Sequence, residues 1–193
     1  MLDFAREWLN QEFSGELLSV GEGPVPHAAE AIVLGRQWNL STVLKRAFYE
    51  LARRDSLRLT ATSEDVPCDQ DHFGNDEDDE DDPIHELDPK DLVRLANGQK
   101  ELTSAWLSAV LLGDVKCPLK TPCNSNKARI TWDVVSPYLM VYQFDPICGI
   151  EKLIEVDWRK KGYCDGCKDA RGKSLREQKH KVWENLSVWF DLE

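Results

Sequence analysis

An all-α helical bundle is the expected architecture of this chain, on three grounds. Apolar residues recur at three- and four-residue spacing in one segment after another, helix-start signals stand where those segments open, and period-two alternation of any length is missing. At most a short hairpin is expected near the cysteines. A chain of 193 residues with 41% hydrophobic content suffices for one substantial domain or two small ones.

The first helix is read over residues 2–13, where Leu2, Ala5, Leu9 and Phe13 share one stripe. HAAEAIVLGRQW follows, entered through Pro24 and Pro26; it is apolar on most sides and predicts a buried helix. Residues 41–54 repeat the amphipathic pattern through Val43, Leu44, Ala47, Phe48 and Leu51. Two later helices begin at Asp-Pro pairs, with Asp88 and Asp145 as caps and Pro89 and Pro146 in the first turn. Asn97-Gly98 predicts a break or kink before ELTSAWLSAVLL continues. The last helix is expected to open at a capping box of Ser174 and Glu177, sending Leu175, Val182, Trp183, Leu186 and Trp189 to a core.

Charge is concentrated in one place. Residues 64–82 (EDVPCDQDHFGNDEDDEDD) hold eleven of the 35 acidic residues and no Lys or Arg, so the 24 acidic residues elsewhere balance the 24 basic ones. So polar and self-repelling a run predicts a long disordered acidic loop. It divides the chain into a helical N-terminal segment at 1–60, the loop at 61–83, and a larger helical region at 84–193. No internal repeat is visible. No window approaches the roughly 18–20 apolar residues of a membrane span. The N-terminus, amphipathic and partly acidic, is unlike a secretory signal or transit peptide, so a cytoplasmic or nuclear location is expected. In that reducing setting six cysteines read as thiols or metal ligands rather than disulfides.

The stretch YCDGCKDARGKS, residues 163–174, admits three chemistries. A phosphate-binding loop needs four residues between its glycines and a buried strand ahead of it; here five separate Gly166 from Gly172, and DWRKKGY is no such strand. A redox Cys-x-x-Cys needs a βαβ unit, which the pattern lacks. Zinc is the strongest reading, because Cys164 and Cys167 have an upstream pair, Cys117 and Cys123 in CPLKTPC, and four thiolates satisfy Zn²⁺ tetrahedrally. Gly166 is expected to take the positive φ of the knuckle. Five residues between Cys117 and Cys123 exceed the usual spacing, although Pro118 and Pro122 stiffen that loop. Such a site is structural, with no position left open for catalysis. Cys148, in DPICGIEKLIEV, reads as a packed thiol, and Cys68 with His72 as a solvated pair in the acidic run. His27, His85 and His180 stand singly and read as structural or surface groups.

AAEAIVLGRQWNLSTVLKRAFYELAR, DPKDLVRLANGQKELTSAW, and the cysteine pairs flanking Trp132 and Asp145-Pro146 together resemble the helical region after the BTB/POZ domain in BTB-containing proteins of mushroom-forming fungi. The likeness spans most of residues 24–190, the acidic run excepted. It implies the ligand role for Cys117, Cys123, Cys164 and Cys167, since the cysteine pairs recur there. A BTB core is expected ahead of MLDFAREWL in that family and is not in this sequence, so the self-association and cullin engagement it confers are not carried over.

Three functional classes follow. A non-enzymatic interaction or adaptor module with a protein partner is the leading one. Enzymatic activity is not expected, nor a small-molecule substrate, since no catalytic triad, glycine-rich cofactor loop or His-Glu-x-x-His helix is present. The alternative is nucleic-acid binding through residues 159–181, which hold nine basic residues (Arg159, Lys160, Lys161, Lys168, Arg171, Lys173, Arg176, Lys179, Lys181) against three acidic. Lys116, Lys120, Lys127 and Arg129 join them if the cysteines draw the two loops together.

Overall fold

The computed structural model describes residues 2–21, 23, 25–54, 87–111, 117, 119, 123 and 127–192. Among these the chain is helical, without a strand: α1 (Leu2–Glu12), α2 (Ala28–Gln37), α3 (Ser41–Ala52), α4 (Pro89–Val110), α5 (Lys127–Val135), α6 (Pro146–Glu155) and α7 (Asp165–Trp189), with single 3₁₀ turns at Leu17–Ser19 and Ser136–Tyr138. The acidic run, Cys68, His72 and His85 lie outside the described residues. No described helix is long and apolar enough to cross a membrane.

α3 is the spine of the bundle. Its periodic residues Val43, Leu44, Ala47, Phe48 and Leu51 are buried as the spacing requires, and Phe48 packs on Phe190 with ring centroids 5.5 Å apart. Leu9 and Phe13 of the first stripe, Ala28, Ala29 and Ile32 of α2, Leu102 and Trp106 of α4, Ile147 and Ile150 of α6, and Val182 and Leu186 of α7 enter the same core. The segments before and after the acidic run therefore share one hydrophobic interior. Polar contacts cross the same divide: Asp91 of α4 accepts from Arg36 of α2 at 2.8 Å and from Arg94 at 3.0 Å, and the Gln99 amide donates to the Ala52 carbonyl at the end of α3 at 2.8 Å.

The two Asp-Pro starts behave as read. Asp88 accepts from the Lys90 amide at 2.8 Å, and Asp145 accepts from the Cys148 amide at 3.2 Å, each answering an orphan donor of the first turn. Two other expectations are corrected. Asn97-Gly98 does not interrupt α4, which runs unbroken past it because Gly98 is a contact point for Phe190 rather than a terminator. α7 begins at Asp165, nine residues before the Ser174 capping box; Cys164 is the N-cap and Asp165 supplies the favourable charge of the first turn. Upstream of Ser174 the buried positions are Cys167 and Arg171, which extend the stripe of Leu175 backward at helical spacing.

A group of buried charges on α3 was not anticipated. Glu50, fully buried, accepts from Arg46 at 2.6 Å, from Arg53 at 2.7 Å and from the Val25 amide at 3.1 Å. Arg46 reaches on to Ser19, with Nη1 2.8 Å from its hydroxyl and Nη2 3.1 Å from its carbonyl; Arg53 donates to the Gly21 and Gly23 carbonyls and, at 3.0 Å, to Asp145. The Asp145 carboxylate also receives the Tyr49 hydroxyl at 2.5 Å. The last two turns of α3 and its C-cap thus tie down the connection between α1 and α2 and orient the N-terminus of α6. Burial opposes the charge on Arg53, but Glu50 and Asp145 outweigh it and hold the guanidinium protonated beyond its ordinary range.

Candidate metal centre

Cys164 and Cys167 occupy the N-cap and first turn of α7, while Cys117 and Cys123 come from the segment between α4 and α5. The four sulfurs lie within 4.8 Å of one another, with Cys117 Sγ 3.8 Å from Cys164 Sγ and Cys123 Sγ 3.8 Å from Cys167 Sγ. A tetrahedron with Zn–S bonds of ~2.3 Å has S···S edges of about 3.8 Å, so this spacing leaves room for one metal ion at the centre. It is far longer than a disulfide of ~2.05 Å, and all four residues are free thiols. Cys167 is fully buried and the other three are half-buried.

The local backbone favours the anionic sulfur that a metal needs. The amides of Cys123 and then Leu119 donate to Cys117 Sγ, and its pKa falls from the usual 9.0 to about 6. Cys164 and Cys167 sit at the positive end of a 25-residue helix dipole. Gly166 is helical rather than left-handed; the positive φ of the knuckle, 86°, belongs to Gly162, which closes the tight turn after Trp158. That turn is held by the Gly162 amide on the Arg159 carbonyl at 2.9 Å and the Tyr163 amide on the Trp158 carbonyl at 3.0 Å. Asp157 accepts the Lys160 and Arg159 amides at the head of the turn, which lowers its carboxyl below the usual range.

The cysteines pack against a small cluster of their own, Val134, Trp158 and Tyr163 with Ile130 and Val156, separate from the main core. Trp158 meets Tyr163 edge-on with centroids 5.3 Å apart and donates its indole N–H to the Leu153 carbonyl at 3.0 Å. The Tyr163 and Thr131 hydroxyls are 2.8 Å apart, joining α5 to the turn. The pairing of Cys117 with Cys123 and of Cys164 with Cys167 made this group of four legible; the surrounding shell carries no spacing signal, because its members meet only in three dimensions.

Of the nine basic residues of 159–181, seven are exposed, Lys179 is half-buried and Arg171 is buried. Arg171 is corrected outright: it is 2% exposed, its guanidinium carbon 4.1 Å from the centre of the Trp158 ring, out of reach of a polyanion. Arg159 pairs with Asp165, Lys160 with Asp157 at 3.6 Å, Lys173 with Glu177 at 3.9 Å, and Lys179 with Glu151 at 2.6 Å. Lys161, Lys168, Arg176 and Lys181 are exposed. Lys116 and Lys120, and the side chains of Lys127 and Arg129, lie outside the described residues.

Cys148 is buried in α6, its sulfur 3.2 Å from the Gly21 carbonyl, and burial followed by the Asp145 charge pushes its thiol up to about 12. It is a packed thiol remote in character from the other four. His27 caps α2 with φ 58° and lies 3.3 Å from Glu30, and His180 is exposed on α7. Against known proteins, no family model, no curated protein and no solved structure matches the chain.

Proposed function

We propose that the chain is a zinc-stapled helical module that holds another protein and has no turnover of its own. The observation that carries this reading is the convergence of Cys117, Cys123, Cys164 and Cys167 to within 4.8 Å. Four protein thiolates complete the shell of a tetrahedral ion and leave no site for a water or a substrate, so zinc held there joins segments and does no chemistry. Thiolates of this kind persist in a reducing compartment, which favours the cytoplasm or nucleus.

The interaction role is supported by the resemblance to the region following the BTB domain in fungal BTB proteins, and by apolar side chains left in solvent. Phe4 and Trp8, spaced for one face of α1, are 75% and 42% exposed. Aromatic groups of this sort are the usual anchors of protein interfaces. Metal analysis of the purified chain, joined to partner capture from its native cells with wild type, Trp8→Ala and Cys164→Ser, tests the reading. It expects one zinc per chain, and an interactor that is retained by wild type and lost from both variants. A preparation without stoichiometric metal sinks the staple. A salt-dependent affinity for DNA or RNA with no protein interactor moves the function to the polyanion alternative.

A further inference from the structure

Two sulfur contacts of the metal centre run between segments that are far apart in sequence. Cys117 Sγ lies 3.8 Å from Cys164 Sγ, and Cys123 Sγ lies 3.8 Å from Cys167 Sγ, so each contact joins the stretch ahead of α5 to the start of α7. Solvent access divides them. Cys117 and Cys164 are both half-buried, whereas the second contact ends on Cys167, which is 0% exposed. A small oxidant dissolved in water therefore meets both members of the first pair and only one member of the second. Sulfur bound to zinc is held as thiolate, and thiolate is the form that peroxide oxidises. A disulfide needs its sulfurs at ~2.05 Å, so closing the 3.8 Å gap moves each by less than about 1 Å.

We propose that Cys117 and Cys164 form the peroxide-sensitive element of the centre, which on oxidation exchanges the metal link between the two segments for a covalent one. This rests on the reading of the four cysteines as a zinc site. One thiolate of the pair attacks the O–O bond of hydrogen peroxide; an S–O bond forms, and the hydroxide that leaves takes a proton to become water. The second thiolate attacks that sulfenic sulfur, the S–S bond forms, and the departing hydroxide takes another proton. Two electrons pass from the pair of sulfurs to the peroxide, and zinc stays divalent throughout. Cys123 and Cys167 alone supply only half of a tetrahedral shell, so the ion is released. The link between the segments outlives it, because the new bond runs from the stretch ahead of α5 to the N-cap of α7. A dithiol reductant returns the pair to thiols and lets zinc bind again, in keeping with the transient disulfides of reducing compartments.

The test uses the full chain loaded with zinc and treated with hydrogen peroxide in increasing amounts. A chromophoric chelator follows metal release, and peptide mapping by mass spectrometry names the disulfide. The expected result is about one zinc released for each peroxide consumed, with Cys117–Cys164 as the first bond formed and both thiols and metal recovered after dithiothreitol. Amide exchange over residues 158–170 should stay slower in the oxidised chain than in reduced chain stripped by chelator, since the covalent link still holds the start of α7. A first bond between any other two cysteines overturns the proposal, whether within one segment, as Cys164–Cys167 or Cys117–Cys123, or to Cys68 or Cys148. Sulfinic acid without a disulfide overturns it as well, as does zinc that stays bound while the pair is oxidised, or exchange as fast as in the stripped chain. A chain that carries no zinc before peroxide is added sinks the metal reading and this proposal together, whereas a zinc-loaded chain that forms a different bond sinks only the latter.

Discussion

Gly98 lies flat against the ring of Phe190: a Cβ at that position would stand 1.8 Å from Phe190 Cε1 and 2.3 Å from Cδ1. The ring is fully buried and itself packed on Phe48, so it cannot swing clear. Helix propensity favours Gly98→Ala by about 1 kcal/mol, but overpacking a filled core costs ~1–3 kcal/mol, and the second effect is expected to win. Urea denaturation should therefore show a net loss for Gly98→Ala, and Phe190→Leu in the same chain should cost less than it does alone. A neutral or stabilised Gly98→Ala would show that the close approach of α4 to the end of α7 does not matter.

Glu50 is the second test, because its fully buried carboxylate answers two arginines and a backbone amide. Glu50→Gln keeps the shape and removes the charge, leaving Arg46 without its carboxylate and Arg53 with Asp145 alone. Breaking a buried pair in this way costs ~3–5 kcal/mol, a large part of a domain's typical 5–15 kcal/mol. Hydrogen exchange should also quicken at the Val25 amide, which loses its charged acceptor. A loss below ~1 kcal/mol, the range of a surface pair, contradicts the buried network.

The sequence exposed the periodic elements and concealed those that depend on distant partners. The stripes of α1 and α3 and the Asp-Pro starts of α4 and α6 were legible because spacing and capping are local properties of the chain. Nothing in the spacing of Arg46, Glu50 and Arg53 reveals Ser19, Gly21 and Asp145 waiting across the fold. The true start of α7 was hidden by two glycines and a polar surface in DGCKDARGKS, where only Cys167 and Arg171 face inward. The same polarity made Arg171 look like part of an open basic face. The four cysteines were legible as a set from their pairing, whereas Trp158, Tyr163 and Thr131 around them were not.

High pH should weaken the fold through two groups packed together. Burial, then Asp145, raises the Cys148 thiol from 9.0 to about 12, and the same causes raise the Tyr49 hydroxyl well above 10.0. Both groups are neutral in native and unfolded chains at neutral pH, and their contribution is then fully present. As pH climbs through 9 the unfolded chain releases the Cys148 proton while the native one cannot, so stability falls from there toward pH 12; Tyr49 adds its share above 10. Urea midpoints from pH 7.5 to 10.5 should decline, with a shallower slope for Cys148→Ala. An identical slope in that variant excludes Cys148 as a source.

Metal removal should act on one end of the molecule, because the cysteines pack on a cluster of Val134, Trp158 and Tyr163 while the main core lies among α1–α4, α6 and the rest of α7. If zinc fills the site, a chelator takes away what holds Cys117 and Cys123 to the first turn of α7, and four sulfurs then face one another without an ion. The expected response is rapid hydrogen exchange over residues 130–135 and 158–170, with α2, α3 and most of α4 still protected, and only a modest loss of helical dichroism. Cys164→Ser should reproduce it and Cys148→Ala should not, since Cys148 faces Gly21 and Asp145 instead. Each tenfold rise in free zinc above its Kd should add about 1.4 kcal/mol to the folded state. Exchange that spreads through α3 and α4 as readily as through α5 would mean that the two clusters melt as one, and a chelator without any effect on residues 158–170 would mean that these sulfurs hold no ion.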